Sequence, residues 1–557
     1  MVLREDLFIA RAIGGAIAVI GIVNSGEWGD FAQAAPQPRD RQTTLNMVKQ
    51  SVIYRFPEVK HNRRFEITNN YLFANGDLEN NSRIDESEQR SLPYFNEDDR
   101  AIALTLADIV ILAVQNNRNI KNAYLQRIAD RENLAVELDK FSPNITPEAS
   151  LSVGSSDLGS LTTNTAQLGF GAIVSIALPT GAEISAEWET SGIAQNNSEA
   201  AIDDETGLQQ NIELRFSQPL LRGFGREVNI ASIEVAKLSE QVNILDLKST
   251  LIETVSDAIV AYRNLVRAQE QVEIERLSLQ RAKELLEINR VLIEAGRRAP
   301  IEMVQSQTNV ANQEVRVLEA ENDLESRQLA LIEILDIDQQ TKITAIEQLE
   351  IEEAELPKEQ ELIDLAYQNR PDFLQALLAL EIAEFDLLLA EDNRRWDLDL
   401  EASYISGLRT DTEDTNDLRA GLNLSREFGD RTLQRDLETS RVNILQEQNR
   451  LEDLRETIKI EVRDRIRDVN LLRRQVELAR TAKELSAQKL ANERELLKLG
   501  RSSIAEIVRF QEDLVEATNA ELNAKINYLN ALTQLDRTVG ITLDTWEITV
   551  EAFPKLD

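Results

Sequence analysis

The chain has 557 residues, yet only 5% are aromatic, while Leu, Ile, Ala, Glu, Arg and Gln are plentiful. That composition suits long helices packed along thin seams. Its formal charge of −36 has the wrong sign for a phosphate backbone and argues against nucleic acid as a partner; with no cysteine, disulfides, thiolate metal sites, a cysteine nucleophile and a lipidated N-terminal cysteine are all excluded.

Residues 1–34 read as an export signal. Arg4 and Arg11 flank its start, Ala12–Val23 is an apolar run, and Ala32-Gln33-Ala34 is a cleavage pattern. The run is shorter than the roughly 20 residues a membrane helix needs. No later segment is long and apolar enough either, so a membrane crossing would have to use strands. Residues 35–100 show no sustained period and read as an extension with little regular structure. The one histidine, His61, lies there and is read as incidental.

A first structural repeat follows over 101–345. It opens with a helix from about Leu104 to Phe141, capped by Thr105 or Asp108 and ended at Pro143. The period then shifts from 3.6 to 2 over about 146–217. Leu168, Phe170, Ala172, Val174 and Ile176 alternate with small or polar residues, Ile184, Ala186 and Trp188 with Glu and Ser, and Ile212, Leu214 and Phe216 with Asn, Glu, Arg and Ser. A turn is expected at Pro179-Thr180-Gly181. A long helical hairpin over about 225–336 completes the repeat. After a linker at 346–358 the plan returns in 359–546: a helix from about Gln360 to Arg395, strands over about 396–426, and a hairpin over about 429–539. Residues 547–557 are a tail.

The two copies align residue by residue. Ala113–Ser150 matches Ala366–Ser403 without a gap, and Gly225, Gly296, Glu302 and Gln307 match Gly429, Gly500, Glu506 and Gln511. The first copy is longer by 49 residues, all in its strand region; they add two strands, which either enlarge the sheet or fold elsewhere. A repeat built on helices this long points to a tube or solenoid. Each long helix, of about 70 residues or roughly 105 Å, is expected to run antiparallel to two half-length helices laid in series. A long helix with one narrow apolar stripe needs neighbours on both sides, as a closed ring supplies.

The strands, about 9–11 residues each, have the length of tilted membrane strands, but a soluble sheet with one wet face alternates the same way. The chain offers roughly four to six strands, against about eight in the smallest membrane barrels. Either the sheet is soluble, or several chains pool their strands.

The junction Gln218-Pro219-Leu220-Leu221-Arg222-Gly223-Phe224-Gly225, where a strand passes into a long helix, resembles that of TolC-like outer membrane efflux proteins. So does the duplicated plan, over about Ala101–Trp546. The resemblance implies a mainly α fold with a transmembrane β segment: a homotrimer whose shared β-barrel lies in outer membrane lipid and continues as a helical barrel through the periplasm. It implies a periplasmic adaptor (membrane fusion) protein and an inner membrane transporter of RND or ABC type as partners, and no cofactor. The second junction, Ser425-Arg426-Glu427-Phe428-Gly429, lacks the proline, so its bend must come from Gly429.

By the same resemblance the hairpin tips Gly296, Arg297, Arg298 and Gly500, Arg501, Ser502 dock the adaptor. Read from chemistry alone they are turns, with each Gly ending a helix and Pro300 suiting the start of the next. In the founding channel of the family two acidic residues one turn apart ring the closed entrance; Glu506 falls on the first, while Arg509 occupies the second. Glu302 falls on an acidic latch position whose basic partner is replaced by Ser502, although Arg501 is adjacent. A Glu506/Arg509 pair at this spacing also reads as a surface ion pair. No catalytic constellation is present, so the expected function is a passive exit duct. The alternative is a periplasmic coiled-coil scaffold or adaptor, but that class has one hairpin rather than two and needs an inner-membrane anchor.

Overall fold

A computed structural model describes residues 65–66, 102–157, 162–197, 205–347, 351, 356–409, 415–499 and 501–549. The export signal, most of the extension with His61, part of the linker and tail, and Gly500 lie outside the described residues.

The first copy begins with α1 (Leu106–Asn116) and α2 (Arg118–Leu138). Strands β3 (Asn144–Asp157), β4 (Thr162–Ala177), β5 (Glu183–Asn197) and β6 (Glu205–Pro219) follow. The hairpin of α3 (Arg226–Glu294) and α4 (Ile301–Leu335) closes it. The second copy has α5 (Glu359–Asn369), α6 (Pro371–Asn393), β8 (Asp397–Arg409), β9 (Thr415–Ser425), α7 (Thr432–Lys498) and α8 (Ile504–Val539). Two small parallel pairs flank the helices: β1 (Phe65–Glu66) with β10 (Ile548–Thr549), and β2 (Ile102–Leu104) with β7 (Ile343–Ala345). The duplicated, mainly helical plan with a β segment is therefore present.

Each opening helix, expected as one piece, is two. Asn117 breaks the first: its side chain accepts from the N–H groups of Asn119 and Ile120 at 2.8 and 3.3 Å, starting a new helix as an N-cap. Pro371 breaks the second, because it has no N–H to continue the ladder and suits a first helical position. Thr105 is the cap of α1, and Asp108 closes a reciprocal capping box with it.

Half-length helices stack in series along each long one. Helix α3 packs α1, α2 and α4 on one side and α6 and α8 on the other; α7 packs α5, α6 and α8. One core joins Ile109, Leu251, Val255, Ile259, Tyr262, Leu331 and Leu335 around the middle of α3. A second joins Leu362, Phe373, Ile458, Val462, Tyr528 and Leu535 around α7. The wall is thus a single layer in the order α2/α4, α3, α6/α8, α7. Its first and last members lack an outer neighbour among the described residues.

The six long strands form one antiparallel sheet in the order β3-β4-β5-β6-β8-β9. The 49-residue excess of the first copy folds into this sheet as β4 and β5. The strands, of 11 to 16 residues, exceed the expected length because pairing continues past the apolar alternation, through pairs such as Ser155–Asn164 and Ser156–Thr163.

Candidate functional site

Register fixes the two faces of the sheet. Leu151 lies opposite Leu168, Ala172 opposite Trp188, Trp188 opposite Ile212, Leu214 opposite Tyr404, and Leu400 opposite Leu422. Alternation then assembles one continuous apolar face. On it Ile145, Leu151, Val153, Leu168, Phe170, Trp188, Ile212, Leu214, Leu418, Leu422 and Leu424 are 40–78% exposed. Leaving these in water forfeits on the order of 10 kcal/mol of burial, which argues against a soluble sheet. The other face carries Glu148, Glu187, Glu189, Glu213, Asp399 and Glu401, with Arg215 bonded to Glu213 and Arg419 to Asp417. Among the described residues the outer edges of β3 and β9 are unpaired, and an open edge is not tolerated in hydrocarbon. The sheet is incomplete as a single chain.

The strand-to-helix junction is tightly bound. Gly223 and Gly225 adopt φ of 76° and 105°, which side chains other than glycine's resist. The Asn229 amide donates to the carbonyls of both at 2.8 Å. Asp392 accepts from the Gly223 N–H at 2.7 Å, and Arg222 pairs with Asp397. The turn at Pro179–Gly181 is built into the same knot: the Gly225 N–H donates to the Thr180 carbonyl at 3.1 Å. A Cβ on Gly181 would lie 2.3 Å from the Gly223 oxygen. At the proline-free second junction Gly429 supplies the bend, at φ 95°.

At the far end, the first tip closes with Gly296 at φ 71°. The Arg297 N–H reaches the Leu292 carbonyl at 2.9 Å and the Gly296 N–H that of Ile293 at 2.9 Å, a Schellman cap. At the second tip the Arg501 N–H makes the matching bond to Leu496 at 2.8 Å, and Ser503 caps α8 through the Glu506 N–H. Arg297 and Arg501 are exposed, whereas Arg298 is half-buried against Glu302, 2.7 Å away. Asn289, buried across the first hairpin, donates to Ser306 at 2.8 Å. The second tip instead packs Phe510 beneath Lys489 and Arg509, 4.0 and 4.8 Å from its ring centre. Arg509 also lies 3.8 Å from Glu506. The two hairpins meet through Leu285, Leu490, Ile504, Ile507 and Phe510.

Residues 110–336 match the family model described as outer membrane efflux protein. That segment therefore resembles the outer membrane efflux proteins. Solved channels extend the likeness over both repeats. The Campylobacter jejuni CmeC outer membrane channel superposes with a TM-score of 0.60 at 16% identity, covering 83% of this chain and 94% of its own. The outer membrane protein VceC of Vibrio cholerae gives 0.58 at 14%, covering 78% and 96%. The open state of the Neisseria gonorrhoeae MtrE outer membrane channel gives 0.58 at 16%, covering 78% and 88%. No curated protein matches the chain in sequence. The resemblance carried by Gln218–Gly225 and by the duplication is borne out.

In this efflux-protein fold the three gate candidates pair within their own hairpins: Glu302 with Arg298, and Glu506 with Arg509. The single chain brings no gate residue of one hairpin against a gate residue of the other through any described bond. Sequence reading missed an aromatic cluster at the sheet's helix end. Phe428 and Trp396 meet edge to face at 6.0 Å, with the Arg426 guanidinium 5.1 Å from the Trp396 ring. Phe224 and Phe428 are largely exposed. Aromatic rings with an exposed apolar body suit the membrane–water boundary; in a chain with so few aromatics, their recurrence at both junctions was the available signal. It also missed a buried pair in the wall. Burial pushes Asp536 up to about 7 despite Arg263 nearby, and Arg263 down to about 10. The Arg263 guanidinium donates to the Leu529 carbonyl and Thr533 hydroxyl at 2.6 and 2.7 Å.

Proposed function

We propose that three copies assemble into a passive exit duct through the outer membrane, their sheets joined in one β-barrel and their helices continuing as a barrel about 100 Å long in the periplasm. The observation that carries this is the match between the chain's two free sides. Strand β3 emerges from α2 and β9 leads into α7, so each side offers an unpaired strand edge and, in line with it, an unpartnered helix. The two edge strands run in opposite directions, so pairing between copies would continue the antiparallel ladder. One side exposes Leu125, Ile128, Val315 and Leu318; the other exposes Leu445, Leu471, Leu478 and Leu485. Head-to-tail contact between unlike surfaces closes into a ring when the rotation permits.

Substrate enters at the tips, delivered by an inner membrane transporter of RND or ABC type that supplies the energy. Gly296, Arg297, Arg298, Gly500, Arg501 and Ser502 dock a periplasmic adaptor, the exposed Arg297 and Arg501 offering it charge. Glu302, Glu506 and Arg509 line the closed entrance, where copies of one charge gathered near the axis repel one another and favour opening. Fractionation gives the first test: a heat-modifiable trimer in the outer membrane fraction is expected, and a soluble monomer would end the proposal. For the entrance, Glu506→Gln and Arg509→Ala should each change conductance or ion selectivity in planar bilayers; traces like wild type would place both residues off the pore.

A further inference from the structure

The inserted hairpin β4–β5 bears on the width of the duct, and the inference rests on the trimeric reading above. In the second copy the excursion from half-helix to long helix is two strands, β8 and β9. In the first it is four, and the added pair lies inside the sheet, between β3 and β6. Pairing of β4 is unbroken on both sides, from Asn144–Ser175 to Asp157–Thr162 with β3 and from Thr163–Asn197 to Ala177–Glu183 with β5. Its apolar residues Leu168, Phe170 and Val174 stand on the same face as those of β3 and β9. The hairpin's turn is held by the junction itself: Thr180 accepts at its carbonyl from the Gly225 and Gln218 nitrogens, at 3.1 and 3.3 Å. A hairpin held at its base and paired along both sides is wall, not plug or lid.

We infer that the assembled barrel has eighteen strands, three sheets of six, with β9 of each copy pairing with β3 of the next, and that β4–β5 sets the bore of the exit. Strands about 4.8 Å apart and tilted near 40° close eighteen-fold at a radius of about 18 Å. With two strands from each repeat the barrel would have twelve and a radius of about 12 Å by the same geometry. The helical wall decides which of these it meets without a step. Four helices from each copy cross any level, and twelve helices spaced 8–10 Å close at a radius of about 15–19 Å. The wider barrel continues that wall; the narrower one would have to taper. The exit is therefore sized for bulky cargo, such as large amphipathic molecules or unfolded polypeptide, rather than for sieving small solutes.

The test is polymer exclusion from the outer side of channels in planar bilayers, using poly(ethylene glycol) of graded size, with wild type and a variant lacking residues 160–203. The variant keeps β3 and β6 joined by a short turn, as β8 and β9 are. Wild type should admit polymers of about 1.5-fold larger radius than the variant. Direct imaging of the wild-type trimer in a lipid nanodisc counts the strands should the variant fail to fold, and eighteen are expected. Conducting trimers with equal exclusion in both proteins, or an imaged barrel that leaves β4–β5 outside the wall, would overturn the width while leaving the duct standing. A preparation with neither trimer nor conductance removes both.

Discussion

Two hydrogen bonds show how a duplicated wall keeps one contact with different chemistry. Where α4 ends against the break between α1 and α2, the Asn117 amide donates to the Ile334 carbonyl at 2.8 Å. At the equivalent place in the second copy the Arg370 guanidinium donates to the Thr538 carbonyl at 3.2 Å and also pairs with Asp372 and Glu461. The positions correspond in the alignment of the repeats, yet sequence reading passed over them, because an Asn and an Arg at equivalent sites look like drift until their common acceptor is seen. The left-handed C-caps Asp336 and Gly540, at φ 50° and 81°, are equivalent in the same way. Asp536 carries a consequence for pH. Its folded value of about 7 lies above the ordinary carboxylate range, so the folded chain holds a proton that the unfolded chain releases from about pH 4. The stability this contributes is complete below about pH 4 and is lost as pH rises through about 7. Replacing Asp536 by Asn keeps the neutral form at every pH. The variant's melting temperature should equal wild type's near pH 4 and exceed it at pH 8, by an amount reflecting a few kcal/mol. Parallel melting curves across that range would mean Asp536 is ionised in the fold.

Among elements, the long helices and the hairpin turns were legible, because an uninterrupted 3.6-residue period and a glycine at each turn are local signals. The breaks at Asn117 and Pro371 were passed over, because the apolar period runs through them and hides the local signals of a side-chain cap and a proline. Surface stripes on the wall's outer members were equally quiet. In α7, Leu471, Leu478 and Leu485 recur every seven residues and remain exposed; in α4, Val304, Val315, Leu318 and Leu329 do so at spacings of eleven, three and eleven. Leu318 and Leu478 each stand 22 residues from the tip glycine of their hairpin, so they lie at the same height on opposite sides of the chain. Their distance within one chain forbids contact, whereas a ring brings them together as a seam of heptad type. Because the chain has no cysteine, Leu318→Cys with Leu478→Cys gives a clean test: oxidation should yield dimers and trimers on denaturing gels, and neither single variant should. A functional double variant that stays monomeric on those gels would show that these two stripes do not meet.

For the whole molecule, alternation and strand number argued for pooled sheets from sequence alone, but the side on which charge would gather needed the register. Among the described side chains, the polar face carries nine carboxylates, from Glu148 to Asp417, against the two guanidinium groups of Arg215 and Arg419, and the apolar face carries neither kind. Both arginines are tied to a carboxylate within the sheet. A lumen so lined attracts cations, but width limits how far the attraction reaches. The Debye length is about 8 Å at physiological salt and about 30 Å at 0.01 M. In a bore of roughly 18 Å radius the axis is therefore screened in the first case and within the field in the second. Reversal potentials across planar bilayers should show weak preference for potassium over chloride at 0.15 M and strong preference at 0.01 M. Asp399→Asn combined with Glu401→Gln, on β8 where both carboxylates face the charged side, should reduce the low-salt preference while leaving conductance at 1 M unchanged. Anion preference, or a selectivity indifferent to salt, would mean that the charged face does not line the pore and that the sheet closes the other way round.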